Sequence, residues 1–301
     1  MFRLALTSLF LAACVPAMAS HATYIRPVQQ TIPASGIKQV ALENLVGPVT
    51  VQTSDGGDIQ LVILINSGGS DDTFARALSQ QLNFTVKNDN GQLRIIGNYP
   101  LDHFRDYGYP YMRNLMGIKG LHGTTSNEYD GQKVFIHDVG SKKAIELWAE
   151  VRLTVPANID VAIRNTYGDV TLRGGGGEAS TATFDGFTDV GDFSVYRPVW
   201  GTLKLQSDYG KVEFIDGLGV GRDIYVNTDV GGTYLDLPPD AKGRIIAHKD
   251  LGFLHNDVSA AKFTKDADGN SVLQLGDGSG PSVHIEMSVG SLHLQTVGGG
   301  N

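Results

Sequence analysis

Eight times between Val40 and Leu294 the chain passes a glycine flanked by apolar residues at the same four offsets, and few folds accommodate such a register. The glycines are Gly47, Gly91, Gly168, Gly191, Gly210, Gly231, Gly252 and Gly290. Seven and five residues before each, and two and four after it, 29 of the 32 places are apolar in a chain that is 41% apolar. Alternation of period two on both sides of a short break describes two strands that each turn one face inward. From Gly168 the intervals are 23, 19, 21, 21 and 38 residues, the last nearly two periods. A period near 20 with one break per repeat predicts a single-domain all-β solenoid, parallel β-helix-like, with coils stacked about 4.8 Å apart. A meander of hairpins is the competing geometry.

The break itself reads polar, aspartate, apolar, glycine, as in Ser207-Asp208-Tyr209-Gly210. These preferences suit a type I turn whose last residue has positive φ. Stacked coils would then set Asp189, Asp208, Asp229 and Asp250 in one column beside Gly168, Gly191, Gly210, Gly231, Gly252 and Gly290. Carboxylates about 5 Å apart repel by roughly 0.8 kcal/mol in water. Two devices offset that repulsion: backbone N–H donors of each aspartate's own turn, the favoured reading, or calcium shared between coils. Tyr209, Val190, Val230 and Leu251, each just before a glycine, should stack at the corner.

The first residues place Arg3 ahead of an apolar run and a small-residue site at Ala17-Met18-Ala19, the order of a secretory signal peptide over residues 1–19. Leu11-Ala12-Ala13-Cys14 also matches a bacterial lipoprotein box, so cleavage after Ala19 and lipidation at Cys14 both stand. Cys14 is the only cysteine. A disulfide framework or cysteine-held metal is therefore excluded, and stability must come from core burial. Residues 20–39 form a lead-in, and residues 40–301 form the repeat domain. A net charge of −8 argues against a nucleic-acid partner. Contact with a membrane is expected only through a lipid anchor.

The periodicity lapses between Tyr99 and Lys143, read as an insertion of residues 99–143, and resumes in a strand from Ile145 that ends at Pro156. Five of the eleven tyrosines fall in the gap. Tyr107, Tyr109 and Tyr111 alternate with glycine and proline and suggest an exposed stacking surface for a glycan or an envelope protein. The alternative is that they cover part of the coil stack.

The run VRLTVPANIDVAIRNTYGDVTL, with its strand ending at Val155-Pro156-Ala157 and its Asn165-Thr166-Tyr167-Gly168 turn, resembles the bacterial putative-adhesin domain family. That resemblance spans most of Val40 to Val297, and the insertion departs from it. It implies an exported or envelope-associated short-coil β-solenoid of adhesin-like character, and it implies no catalytic residue.

Other chemistry is thin. The glycine-rich stretches at Gly174 to Gly177, Gly217 to Gly221 and Gly276 to Gly280 lack the helix and lysine of a phosphate loop and read as connections. His255 and His293 share an outward column, and two coils between them would put them roughly 10 Å apart. Asp266 to Asn270 reads as a hairpin turn rather than a calcium loop, because the later carboxylates are missing. Asp185, Asp208 and Lys211 are the set a carbohydrate-active β-helix lyase or hydrolase would need in one groove. The leading functional expectation is a non-enzymatic envelope solenoid, adhesin-like or scaffolding, without a cofactor, in the periplasm, at the outer membrane or on the cell surface. The alternatives are the carbohydrate-active enzyme and an accessory protein of an envelope-stress system.

Overall fold

A computed structural model describes residues 22–111, 124–175, 180–215, 217, 223–258 and 262–296. The leader with Cys14 therefore lies outside the described residues. The chain enters as β1 (Ala22–Pro33), β2 (Gln39–Val46), β3 (Val49–Ser54) and β4 (Asp58–Gly69), then a short helix of about two turns, α1 (Asp72–Ser79). Next come β5 (Asn83–Asp89), β6 (Gln92–Asn98), β7 (Asp106–Tyr109), β8 (Thr125–Tyr129), β9 (Gln132–Asp138) and β10 (Leu147–Pro156). The repeats supply β11 (Asp160–Tyr167), β12 (Val170–Arg173), β13 (Thr183–Val190), β14 (Phe193–Tyr196), β15 (Thr202–Tyr209), β16 (Val212–Ile215) and β17 (Asp223–Leu237). The C-terminal part adds β18 (Gly243–Asn256), β19 (Thr264–Lys265), β20 (Ser271–Leu275) and β21 (Ser282–Thr296).

The architecture is all-β. One sheet joins eighteen strands, and β7, β9 and β8 form a second, three-stranded sheet. Within the large sheet a parallel ladder runs β6–β2–β11–β13–β15–β17–β21–β18. A second parallel ladder runs β10–β3–β12–β14–β16 and joins the second half of β17. Each rung is thus a first arm, a corner glycine and a second arm, and successive first arms pair in parallel rather than as hairpins. The inward columns are buried as their alternation requires: Val161, Phe184, Leu203, Ile224 and Val283 in the first arm, and Val170, Phe193, Val212 and Leu292 in the second. Trp200 closes over this core, its ring centroid 5.2 Å from that of Phe184 and its indole N–H on the Ile159 carbonyl at 3.3 Å.

Two rungs differ from the reading of the repeat. The Gly91 copy is a hairpin: β5 and β6 pair antiparallel, with Asn90 and Gly91 both at positive φ (51° and 86°), the signature of a tight two-residue turn. Its Leu93 and Ile95 stack on Val40 and Leu42, so they serve as a first arm rather than a second. The Gly252 copy does not follow Gly231. β21 pairs with β17 on one side and β18 on the other, because β20 pairs antiparallel with Gly243–Ala247 and lets β21 lie between β17 and β18.

The corner also has a different cause from the one expected. Gly47, Gly168 and Gly252 have positive φ, but Gly191, Gly210, Gly231 and Gly290 do not. Each glycine is instead required by its neighbour along the stack. A Cβ on Gly210 would sit 2.0 Å from the Gly191 carbonyl oxygen, and one on Gly231 would sit 1.7 Å from that of Gly210. The polar residue three places earlier is no turn residue. It is the last inward position of the first arm, fully buried at Asn44, Asn165, Thr188 and Ser207. Its side chain reaches a corner carbonyl: Asn165 Nδ2 donates to Gly168 O at 2.8 Å and to Gly47 O at 3.1 Å, and Ser207 Oγ donates to Gly191 O at 2.9 Å. Buried carbonyls that bend away from the ladder are satisfied in this way.

α1 packs on β4 and β1. Asp71 caps its N-terminus by accepting from Phe74 N at 2.9 Å, and the Arg26 guanidinium from β1 donates to the carbonyls of Ser79 and Leu82 just beyond.

Candidate binding surfaces

Three places outside the core gather polar or aromatic side chains. One is a groove of about 720 Å³ across the outward face of the first arms. Successive strands bring Asp185, Lys204, Tyr225 and His284 into one outward row, and Gln206, Asn227 and Glu286 into the next. The Tyr225 and His284 rings stack face to face, centroids 5.2 Å apart and planes within 12°, and Tyr225 remains 43% exposed. Arg164 lies 3.7 Å from Asp185 at the head of the groove. These side chains face solvent because their inward neighbours are fixed by the core, so the stack determines their row and spacing but not their type.

The aspartate column lies along the corner. Its spatial order is Asp189, Asp208, Asp229, Ser288, Asp250, so Ser288 separates the last carboxylate from the others, which corrects the four-residue ladder read from the repeat. Nor is the column held by its own turn. Asp189 Oδ2 accepts from the Asn127 side-chain amide at 3.1 Å, and Asp208 Oδ1 accepts from that of Gln206 at 3.3 Å. Burial beneath the insertion pushes the Asp189 carboxyl up to about 6 against the pull of Asn127, and repulsion from Asp208 and Glu128 adds to the rise. Burial raises Asp208 as well. Asp189, Asp208, Asn127, Thr125 and Tyr209 line a cleft of about 380 Å³ between β8 and the corner.

The backbone donors expected at that column go to a different one. Directly after the corner glycine, Asp169 Oδ1 accepts from Asp192 N at 3.0 Å, and Asp192 Oδ1 accepts from Lys211 N at 2.6 Å. Each carboxylate thus bridges to the next rung. The Gly-Asp pairs at 168–169 and 191–192 are visible in the sequence and were the available signal for this role.

The tyrosine segment is mostly interior. Tyr107 and Tyr109 are buried, at 0% and 4% exposed, which corrects the exposed stacking surface expected of them, whereas Tyr111 is 68% exposed. Tyr107 meets Tyr99 edge-on at 5.6 Å, and Tyr109 meets Trp148 at 5.4 Å and Tyr167 at 5.8 Å. The Tyr99 hydroxyl lies 2.9 Å from Asn44 Oδ1, and the Tyr129 hydroxyl donates to Gly97 O at 2.7 Å. These rings seat the small sheet on the corner of the first rungs, where Val46, Tyr167 and Val190 are buried beneath it. Further along the same column Tyr209, Val230, Val289 and Leu251 are exposed.

The other sequence candidates separate or move. Asp185 pairs in register with Lys204, four residues before Asp208, so the two carboxylates stand about 13 Å apart along the strands, beyond the span of a glycosidase pair. His255 and His293 are direct neighbours, ring centroids 5.6 Å apart, rather than two coils apart, a consequence of β18 stacking on β21. His293 also stacks on Tyr234 at 4.7 Å. No group of three or more metal-ligating side chains occurs among the described residues. Asp266 accepts from the backbone N–H groups of Asp268 and Asn270 and closes the β19–β20 hairpin. No described helix is long and apolar enough to cross a membrane.

No family model matches the chain, and no curated protein matches it. Among solved structures it is similar to a putative cell adhesion protein from Clostridium sporogenes, at 13% identity and a TM-score of 0.45, over 91% of this chain and 100% of that one. It is also similar to a putative adhesin from Bacteroides fragilis, at 11% identity and a TM-score of 0.41, over 90% and 97% of the two chains. A putative lipid binding protein from Parabacteroides distasonis matches at 9% identity and a TM-score of 0.23, over 89% and 96%. At such identities and scores a likeness says nothing about a ligand.

Proposed function

We propose that the chain is an exported β-solenoid of the cell envelope that binds rather than catalyses, and that a glycan chain lies across the outward face of its first arms in an adhesin-like or scaffolding role. The leader supports export, and the two parallel ladders with shared corner glycines support the solenoid. The observation that carries the ligand class is the groove. Tyr225, exposed and stacked on His284 of the adjacent rung, offers aromatic surface to a sugar ring. The Gln206 and Asn227 amides, one rung apart, can donate and accept at ring hydroxyls, and Lys204, Asp185 and Glu286 flank them. A groove built of repeated rungs suits a repeated ligand. The enzyme reading lacks support at Asp185, Asp208 and Lys211, which do not share a groove.

Isothermal titration against a panel of bacterial envelope polysaccharides tests this reading, with wild type beside Tyr225→Ala and Asn227→Ala. Binding that each substitution weakens at least about tenfold, with the circular-dichroism spectrum unchanged, is the expected result. Binding that survives both substitutions but is lost in Tyr111→Ala would move the site to the insertion and overturn the groove.

A further inference from the structure

We infer that the last rung of the stack is an interface with a second copy of this chain. β18 is spatially the final strand of the first ladder. β21 covers one of its sides throughout, whereas on the other side β20 covers Gly243–Ala247 only. Among the described residues, no strand pairs with 248–255 on that side. At the opposite end β5 backs β6 and β1 backs β4 by antiparallel pairing, so the outer strands there are β5 and β1. The open edge carries two large apolar side chains with high exposure, Leu251 at 65% and Phe253 at 80%. An unpaired, apolar strand edge is a template for another strand.

The acidic and imidazole side chains say which strand fits. The outward positions on either side of the corner are His248 and Asp250, then His255 and Asp257. Within the chain they already pair as neighbours, His248 with Asp250 at 3.7 Å and His255 with Asp257 at 3.0 Å. Read in chain order the pattern is basic, acidic, basic, acidic, so a parallel copy would set like against like. A copy related by a two-fold axis through the corner runs antiparallel. The register that places Asp250 opposite the second copy's His255 repeats that pair across the two-fold and sets Phe253 opposite its Gly252. This register uses residues 249–256, just beyond His248, whose ring nitrogen lies 3.2 Å from Asn270 Oδ1 in the β20 return. Such a pairing is self-complementary and closed, so it stops at two copies. It is independent of the ligand assigned to the groove.

Sedimentation equilibrium of the Cys14→Ser chain, which then holds no cysteine, tests the inference. The chain should dimerise, and Phe253→Glu or Asp250→Arg should each weaken the dimer at least about tenfold. The double variant Asp250→Arg, His255→Glu exchanges the acidic and basic partners across the two-fold and should recover most of the loss. All these side chains are exposed, so folding should be retained, as circular dichroism would verify. As a second readout, Asp250→Cys with His255→Cys should give an intermolecular disulfide dimer on non-reducing gels. A monomer at the highest soluble concentration, a dimer insensitive to both single substitutions, or a cysteine pair that stays reduced would each overturn the proposal.

Discussion

Replacing Gly210 by alanine is the sharpest perturbation of the corner. The added Cβ would lie 2.0 Å from the Gly191 carbonyl oxygen and 2.7 Å from its carbon, against roughly 3.5 Å for a comfortable contact. The rungs would have to part locally by about 1 Å or more. That movement stretches the 3.0 Å Gly191 N–Tyr209 O hydrogen bond and the 2.9 Å bond from Ser207 Oγ to Gly191 O. Two buried hydrogen bonds at about 1 kcal/mol each, with overpacking strain of about 1–3 kcal/mol, give a loss of about 3–5 kcal/mol. The comparison is Gly36→Ala, where φ is +79° but nothing lies within 4 Å of the new Cβ, so backbone strain alone costs about 1–2 kcal/mol. Urea unfolding followed by the fluorescence of Trp148 and Trp200 measures both. If Gly210→Ala proves no more harmful than Gly36→Ala, the carbonyl contact is not what selects glycine and the corner argument fails.

Asp189 sets a pH dependence of unusual sign. Its folded pKa, about 6, lies above the ordinary carboxylate value of 3.8, so ionisation opposes folding. The penalty is full above pH 6 and disappears as pH falls through 6 toward 4. A shift of that size would be worth about 3 kcal/mol in a fully enclosed site, and solvent screening at this partly exposed one reduces it to about 1 kcal/mol. Asp189→Asn should therefore stabilise the protein by about that amount at pH 8 and not at pH 4 in thermal melts, and an equal effect at both would contradict the assignment. Tyr107→Ala, at a fully buried ring, should cost about 3–5 kcal/mol, whereas Tyr111→Ala should stay within about 0.5 kcal/mol by urea unfolding. Asp192→Ala removes the acceptor of Lys211 N and should cost about 1–2 kcal/mol, and Asp192→Asn should recover part of it.

The inward columns were legible in the sequence because burial on one face of a strand imposes period two, and Leu203, Leu205, Val212 and Phe214 have no other reason to alternate. The corner glycines were legible as a class but not by cause, since a left-handed turn and a close carbonyl select the same residue. Gly91 was misplaced for a related reason: Asn90-Gly91 fits a hairpin as well as a corner, and only the pairing of β5 with β6 decides. The position of β18 depends on the antiparallel return through β20, a long-range pairing without a local signal, and the neighbours of His255 and Asp250 shifted with it. Tyr107 and Tyr109 read as exposed because glycine and proline surround them. Their fold-back onto Tyr167 and Trp148 is tertiary. The groove was illegible because alternation constrains inward residues alone, leaving Tyr225, Gln206 and Asn227 indistinguishable from any solvated face.

The order of the rungs underlies the stacked Tyr225–His284 pair in the groove, the corner column and the open edge alike, and a pair of cysteines measures it. In the Cys14→Ser chain, Asp229→Cys with Ser288→Cys places thiols on directly adjacent parallel strands, within the roughly 4.4–6.8 Å Cα separation that a disulfide requires. Asp229→Cys with Asp250→Cys leaves a rung between them. Thiol titration and mass spectrometry after mild oxidation should find the 229–288 pair bridged and the 229–250 pair as two free thiols. A 229–250 bridge with 288 left free would mean that β18 stacks directly on β17, and would contradict the account.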